Sequence, residues 1–323
     1  MIIFSIFQKG LLDGKKEIPH SIEEKLAQLV DHLALLRKSI DDHRAESIFS
    51  LRKLRLSNSI YLGDHLALTQ LENGLSMYVD TRSRDVGIHL LNLGRWESNY
   101  TEVFKTFLFP GATVLDVGAN LGWYSLIAAP IVGPSGKVFA VEPNPHLANL
   151  VYMSLRTNGF ASRSVVLNIA ASDKIGILDL IVDPEMPGSA ITRVGEYQVK
   201  PGVAPSKLKV SALPLDDAIG TDSGPIHALK MDIEGFEGVA LQGMQKIITR
   251  SPNLRMLLEW GLQQDGSPVP RRATAKMLDA HNFVPYRISN TGQLTLSTWD
   301  EEVTNKKLTN LAILKKGDPL GTI

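Results

Sequence analysis

Cysteine is absent from all 323 residues, which excludes disulfides, thiolate metal sites and cysteine nucleophiles and agrees with a reducing, cytoplasmic setting. Net charge is absent too: 34 lysines and arginines stand against 34 aspartates and glutamates. No global field therefore draws the chain to nucleic acid or to an anionic membrane, and neither is expected as a partner. No stretch approaches the roughly 20 apolar residues that cross a bilayer. The start, Met1 to Phe7, is apolar but short, without the basic leader or small-residue cleavage site of a signal peptide. Internal repeats and low-complexity tracts are missing as well. What remains is one large core with extensions. The expected parts are an N-terminal helical extension (1–58), a hairpin and helical cap (59–109), a main domain (110–316) and an unstructured tail (317–323).

In the extension, Ile22, Leu26, Leu29, Leu33, Leu36 and Ile40 alternate spacings of four and three, the a/d rhythm of a coiled coil. Ser21 with Glu24 reads as a capping box, and the pattern ends at His43 and Ser47. Two readings stand equal: a helix packed on its own domain, or a homodimer seam over Ser21–Ile40. Farther on, Asn73-Gly74 between two apolar runs predicts a β-hairpin.

Strands and helices then alternate: Thr113–Val117, a helix Trp123–Val132, Lys137–Val141, a helix Pro145–Asn158, Val165–Ile169, Ile226–Met231, a helix Phe236–Thr249, and Leu254–Trp260. This order predicts an α/β fold whose parallel sheet carries helices on both faces. Ile175–Val182 and Lys207–Leu213 read as an inserted strand pair around a Pro/Gly-rich loop, Asp183–Pro205. After Trp260 a helix is expected at Arg271–His281, with strands at Phe283–Ile288, Gln293–Ser297 and Leu308–Lys315.

The first strand ends in Asp116-Val-Gly118, and Gly118 and Gly122 allow a tight turn and close ligand approach before the helix at Trp123. Glu142 closes the next strand, where a carboxylate accepts two hydrogen bonds from a ribose diol. A dinucleotide fingerprint requires glycine where Asn120 and Trp123 stand. The D-x-G-x-x-x-G pattern instead suits S-adenosylmethionine, which has no pyrophosphate and whose cationic groups favour a nearby acid.

Four segments, Val114-Leu-Asp-Val-Gly-Ala-Asn-Leu-Gly122, Val141-Glu-Pro-Asn-Pro145, Asn168-Ile-Ala-Ala171 and Leu229-Lys-Met-Asp-Ile-Glu-Gly-Phe-Glu237, closely resemble the FkbM family of S-adenosylmethionine-dependent methyltransferases. The resemblance extends from about Leu66 to Trp260 and includes Gly94-Arg-Trp-Glu97. It implies a Rossmann-like class I methyltransferase with a seven-stranded, mostly parallel sheet, and O-methylation of a sugar or another hydroxylated metabolite. It also implies that the Glu97 element covers one edge of the cofactor pocket.

Ligands of open α/β sheets bind beyond the carboxyl ends of the strands. Asp116, Gly118, Ala119, Asn120 and Gly122 are therefore assigned to the methionine portion, Glu142 with Pro143 and Asn144 to the ribose, and Asn168 to Ala170 to the adenine edge. For the acceptor proton the candidate bases are Asp232 first, then Glu234 and Glu237. The last two also begin a helix, where acids complement the dipole without catalysis.

Asp232, Glu234 and Glu259 are hard oxygen ligands of the kind magnesium takes, but strand-end carboxylates are equally usual in metal-free sites, and no metal is assigned. Lys230, in a buried strand, is expected to pair with an acid such as Glu259. Ser189 and Arg193 read equally as ligand contacts or as a surface turn. His65, His89, His146 and His227 show no metal-ligand spacing. The competing functions are a nucleic-acid methyltransferase, disfavoured by Ile233-Glu-Gly where a proline-aromatic motif belongs, and a catalytically degenerate scaffold, disfavoured by the intact glycine motif.

Overall fold

A computed structural model describes residues 20–56, 59–84, 86–183, 186–192, 206–261 and 267–322. The chain divides into two compact units, Met1–Leu54 and Arg55–Ile323. In the first, α1 (His20–Leu56) is one continuous helix of 37 residues that runs on beyond His43 and Ser47, where the heptad pattern ends. The side chains around the Ser21 cap lie outside the described residues. Leu26, Leu29, Leu33, Leu36 and Ile40 are all exposed. No helix among the described residues is long and apolar enough to cross a membrane.

The second unit opens with an antiparallel sheet of β1 (Ile60–Gly63), β2 (Leu66–Gln70) and β3 (Ser76–Asp80). The β2–β3 turn lies at Asn73-Gly74 as expected, with Gly74 at φ +84° and Asn73 Oδ1 accepting the Leu75 N–H at 3.2 Å. Two short helices follow, α2 (Val86–Leu93) and α3 (Ser98–Lys105).

The main sheet is built by β4 (Thr113–Val117), β5 (Lys137–Val141), β6 (Ser164–Leu167), β11 (Ala228–Met231), β12 (Arg255–Trp260), β13 (Phe283–Ile288), β14 (Leu294–Leu296) and β15 (Thr309–Lys315). Its order is β14-β13-β15-β12-β11-β4-β5-β6, with β12 to β6 parallel and the other three antiparallel. The sheet thus has eight strands where the family resemblance implies seven. The three-residue β14 is the extra one, added at the edge where the chain folds back on β13.

Side chains alternate between two cores. Val114, Val138, Ala140 and Ala228 pack with α4 (Trp123–Val132) and α5 (Pro145–Thr157). Leu115, Val117, Val141 and Leu229 face α7 (Glu237–Gln242) and α8 (Gln245–Arg250). The expected single helix Phe236–Thr249 is therefore two, broken at Gly243. A Cβ at Gly243 would lie on the Ser172 carbonyl oxygen, so close backbone packing dictates the glycine at the break.

The insertion forms its own sheet, β7-β10-β8-β9, from β7 (Ala170–Ala171), β8 (Gly176–Asp183), β9 (Met186–Thr192) and β10 (Ser206–Leu213). The antiparallel β8–β10 pair matches the reading. The supposed loop Asp183–Pro205, however, contains β9, an edge strand that tolerates Pro187 and Gly188 because one of its sides needs no ladder partner. Arg193 and the Ser189 side chain lie outside the described residues.

Beyond α6 (Leu215–Ile219) and α9 (Arg271–Ala280), an unanticipated α10 (Trp299–Thr304) is capped by Thr298. The tail is also structured, contrary to expectation. Asp318 accepts two bonds from the Arg255 guanidinium, at 2.9 and 3.1 Å, and Pro319–Thr322 form a 3-10 turn.

Candidate active site

From β4 the chain runs outward to β5 and β6, then returns to place β11 on the other side of β4. The crevice beyond β4 and β11 is thus the switch point where such sheets bind ligands. A cleft of about 230 Å³ lies there, lined by Gly118 to Leu121, Trp96, Tyr124 and six charged residues: Glu97, Glu142, Lys230, Asp232, Glu234 and Glu259.

The turn leaving β4 carries three left-handed residues, Gly118 at φ +74°, Asn120 at φ 52° and Gly122 at φ +88°. Gly118 has a second constraint, because a Cβ there would lie on the Asp232 carbonyl oxygen. Gly122 lies against α5, where an added Cβ would come 3.1 Å from Val151. These glycines therefore serve protein packing as well as ligand approach.

Asp116 sits deeper than its assignment to the methionine portion implies. It is buried away from the cleft lining, with Oδ2 accepting the Ser125 N–H at 2.9 Å and the Ser125 hydroxyl at 2.6 Å. It shares the Val114 side of β4 and so points under α4. Burial pushes its pKa up to about 6, opposed by the Ser125 bonds and by Lys230.

Glu142 lines the cleft as expected. Oε2 accepts the Asn120 N–H at 2.8 Å and Oε1 the Asn144 N–H at 2.9 Å. Burial nonetheless pushes its carboxyl up to about 7. Pro143 lines the cleft beside it, while Asn144 turns its side chain to cap α5, accepting the His146 N–H at 3.0 Å. Asn168 clamps the main chain, donating to the carbonyls of Glu142 and Pro143 at 2.8 and 2.9 Å. Ala170 joins Val141, Pro143, Ile169, Ile233 and Phe236 around a small apolar recess next door.

At the far wall Lys230 is buried, its ammonium 3.0 Å from Asp232 Oδ2 and 5.1 Å from the centre of the Tyr124 ring. Its ion-pair partner is thus Asp232 rather than Glu259. Burial alone would depress the ammonium, but Asp232 and Glu97 hold it above the ordinary lysine range. Glu97, itself left-handed at φ 42°, accepts the Tyr124 hydroxyl at 2.6 Å and the Asn310 amide at 3.4 Å. Burial raises its pKa while Lys230 and Tyr124 pull it back. Glu259 is pushed up to about 9 by burial and then by the carboxylates of Asp232, Glu234 and Glu237, with Lys230 pulling the other way.

The three candidate bases separate. Asp232 and Glu234 line the cleft, with Glu234 at φ 54° in the turn after β11. Glu237 is fully buried and absent from the lining; its Oε1 accepts the N–H groups of Ile233 and Gly235 at 2.9 and 3.3 Å. It shapes the turn that carries the other two. Tyr124 escaped the sequence reading, although its place in the first turn after Gly122 aims it at the same rim. Among the described residues no three His, Asp or Glu side chains converge to hold a metal ion.

Residues 116–285 match the family model described as the methyltransferase FkbM domain. The chain is 40% identical over 68 residues to the protein-L-isoaspartate O-methyltransferase of Aeropyrum pernix, a match covering 21% of this chain and only 25% of that protein. It is 30% identical over 158 residues to the probable cobalt-precorrin-6B C(15)-methyltransferase (decarboxylating) of Sulfolobus acidocaldarius, covering 46% of this chain and 80% of that one. Among solved structures, an S-adenosylmethionine-dependent O-methyltransferase from Thermotoga maritima aligns at a TM-score of 0.38 and 15% identity, over 80% of this chain and 96% of the other.

Proposed function

Because this chain belongs to the FkbM family of methyltransferases, we propose that it moves a methyl group from S-adenosylmethionine to a hydroxyl oxygen of a sugar, a glycan or another small hydroxylated metabolite. The residues at the switch point fit that donor. Glu142 is held by two N–H groups and keeps a second lone pair on each oxygen for a diol. Asn120 Oδ1 is buried without a hydrogen-bond partner, an acceptor suited to an ammonium. The apolar recess beside Ala170, only about 10 Å³, marks the wall that the adenine edge would meet. Carboxylates outnumber the single ammonium of Lys230 along the lining, which favours a cationic ligand.

S-adenosylmethionine, when bound, supplies an electrophilic methyl group on sulfonium. The chain's own task is to align an oxygen lone pair and to receive a proton. Asp232 performs the second role. Its side chain is 31% exposed at the cleft, and the buried Lys230 ammonium, 3.0 Å from Oδ2, orients it. Glu259 lines the same cleft, and Glu97 with Tyr124 holds Lys230 in place. The observation that carries this reading is the Lys230–Asp232 pair set across one cleft from the anchored Glu142 carboxylate.

We also read the cysteine-free chain as cytoplasmic and as a homodimer joined through α1. The test of the enzymatic reading is calorimetric titration with S-adenosylhomocysteine, followed by transfer of labelled methyl to a panel of hydroxylated sugars and metabolites. Binding that Glu142→Ala abolishes, with transfer that Asp232→Asn abolishes while binding persists, supports it. Absence of binding by the unmodified protein refutes it.

A further inference from the structure

We propose that α1 pairs antiparallel with the same helix of a second copy of this chain, a claim about orientation that rests on the self-association read above. Leu26, Leu29, Val30, Leu33, Leu36 and Ile40 are exposed at 43%, 55%, 61%, 58%, 59% and 65%. Leu26, Leu33 and Ile40 occupy one column of the heptad and Leu29 and Leu36 the other, with Val30 beside them in the flanking row. At roughly 100 Å² each, two copies would bury about 1,200 Å², the lower end of the range for stable interfaces of about 1,200–2,000 Å². At that size the flanking rows decide the geometry.

In a parallel pair each flanking residue meets the one five positions later on the partner helix. Lys25 would then face Val30, and His32 would face Arg37, so no flanking contact is favourable. Reversing one helix stacks Leu26 on Leu36 and Leu29 on Leu33. It brings the two copies of Val30 together, which widens the apolar seam. Lys25 then lies near Ser39, and His32 meets its own copy in place of Arg37. All of these flanking residues are exposed on α1, so none is already committed to another contact surface.

The absence of cysteine makes the test clean. Light scattering on the full chain over a range of concentrations reads the mass. Leu29→Cys and Leu33→Cys variants, one carrying an affinity tag, are oxidised mildly, each alone and mixed in equal parts. The expected result is a doubled mass, with a disulfide forming between the two variants in the mixture and little in either alone. A monomeric mass at every concentration overturns self-association and orientation together. A dimer in which each variant links to itself keeps the self-association and overturns the antiparallel arrangement, as does a dimer with no link in any sample.

Discussion

The affinity for S-adenosylhomocysteine should rise about tenfold between about pH 6 and about pH 8, with Glu142 as the cause. Burial places the Glu142 carboxyl at about 7 against its ordinary 4.5, a difference corresponding to about 3 kcal/mol. A ribose diol donates to the ionised form, so the ligand selects the carboxylate. That form makes up about one tenth of the population at pH 6 and about nine tenths at pH 8 by the usual titration curve, which gives the tenfold gain.

The same shift acts oppositely on the free protein. Because the folded-state pKa is raised, the folded chain holds a proton that the unfolded chain has lost. Stability without ligand therefore falls as the pH rises from 4.5 to about 7, and no further loss from this group occurs above that. Calorimetry in two buffers of different ionisation enthalpy would register protons released on binding near neutrality. Glu142→Gln should flatten the pH dependence. A flat profile for the unmodified protein, or a slope that survives in Glu142→Gln, would refute the argument.

Three further outcomes follow from the packing of the site. Gly118→Ala combines a left-handed backbone with a methyl group on the Asp232 carbonyl oxygen. It should cost more than about 2 kcal/mol in urea denaturation, and it should also weaken ligand binding. Lys230→Met removes the buried cation that faces Asp232 and Glu97; a loss of about 3–5 kcal/mol is expected, and unchanged stability would show that the cation is not needed to compensate those acids. Glu237→Ala takes away the acceptor of the Ile233 and Gly235 N–H groups and should destabilise by about 1–3 kcal/mol. Restoration by Glu237→Gln, which keeps an acceptor oxygen, would separate this scaffolding role from acid–base chemistry.

Much of this site was legible because it lies at strand ends, and strand ends are where apolar runs stop. Glu142, Asp232, Glu234 and Glu259 could all be placed on one rim by that rule. Depth was harder to read. Asp116 lies inside β4, level with Ala140 of β5, whereas Glu142 lies one residue past the end of β5, so Asp116 is covered by α4 at Ser125 while Glu142 reaches the rim. Which core covers each face is decided by tertiary packing that no local pattern reveals. Glu237 carried two valid local readings, and the backbone N–H groups that its Oε1 accepts in its own turn are a tertiary detail the sequence did not show. The Lys230 partner was misjudged for a related reason. Glu259 is on the neighbouring strand and Asp232 only two residues away in sequence, and that choice depends on how the chain bends after β11. In the insertion, Pro187 and Gly188 masked a strand because an edge position does not penalise them.

The contact between Gly118 and the Asp232 carbonyl joins two segments separated by more than a hundred positions of chain. One belongs to the turn assigned to the donor, the other to the segment assigned to the acceptor. No atom of clearance separates them, so neither loop can be re-engineered alone. A variant built to accept a bulkier acceptor by moving the Asp232 segment would open or crush the donor turn, and altered acceptor preference would arrive together with altered donor affinity. Loops exchanged between relatives should be grafted as a pair.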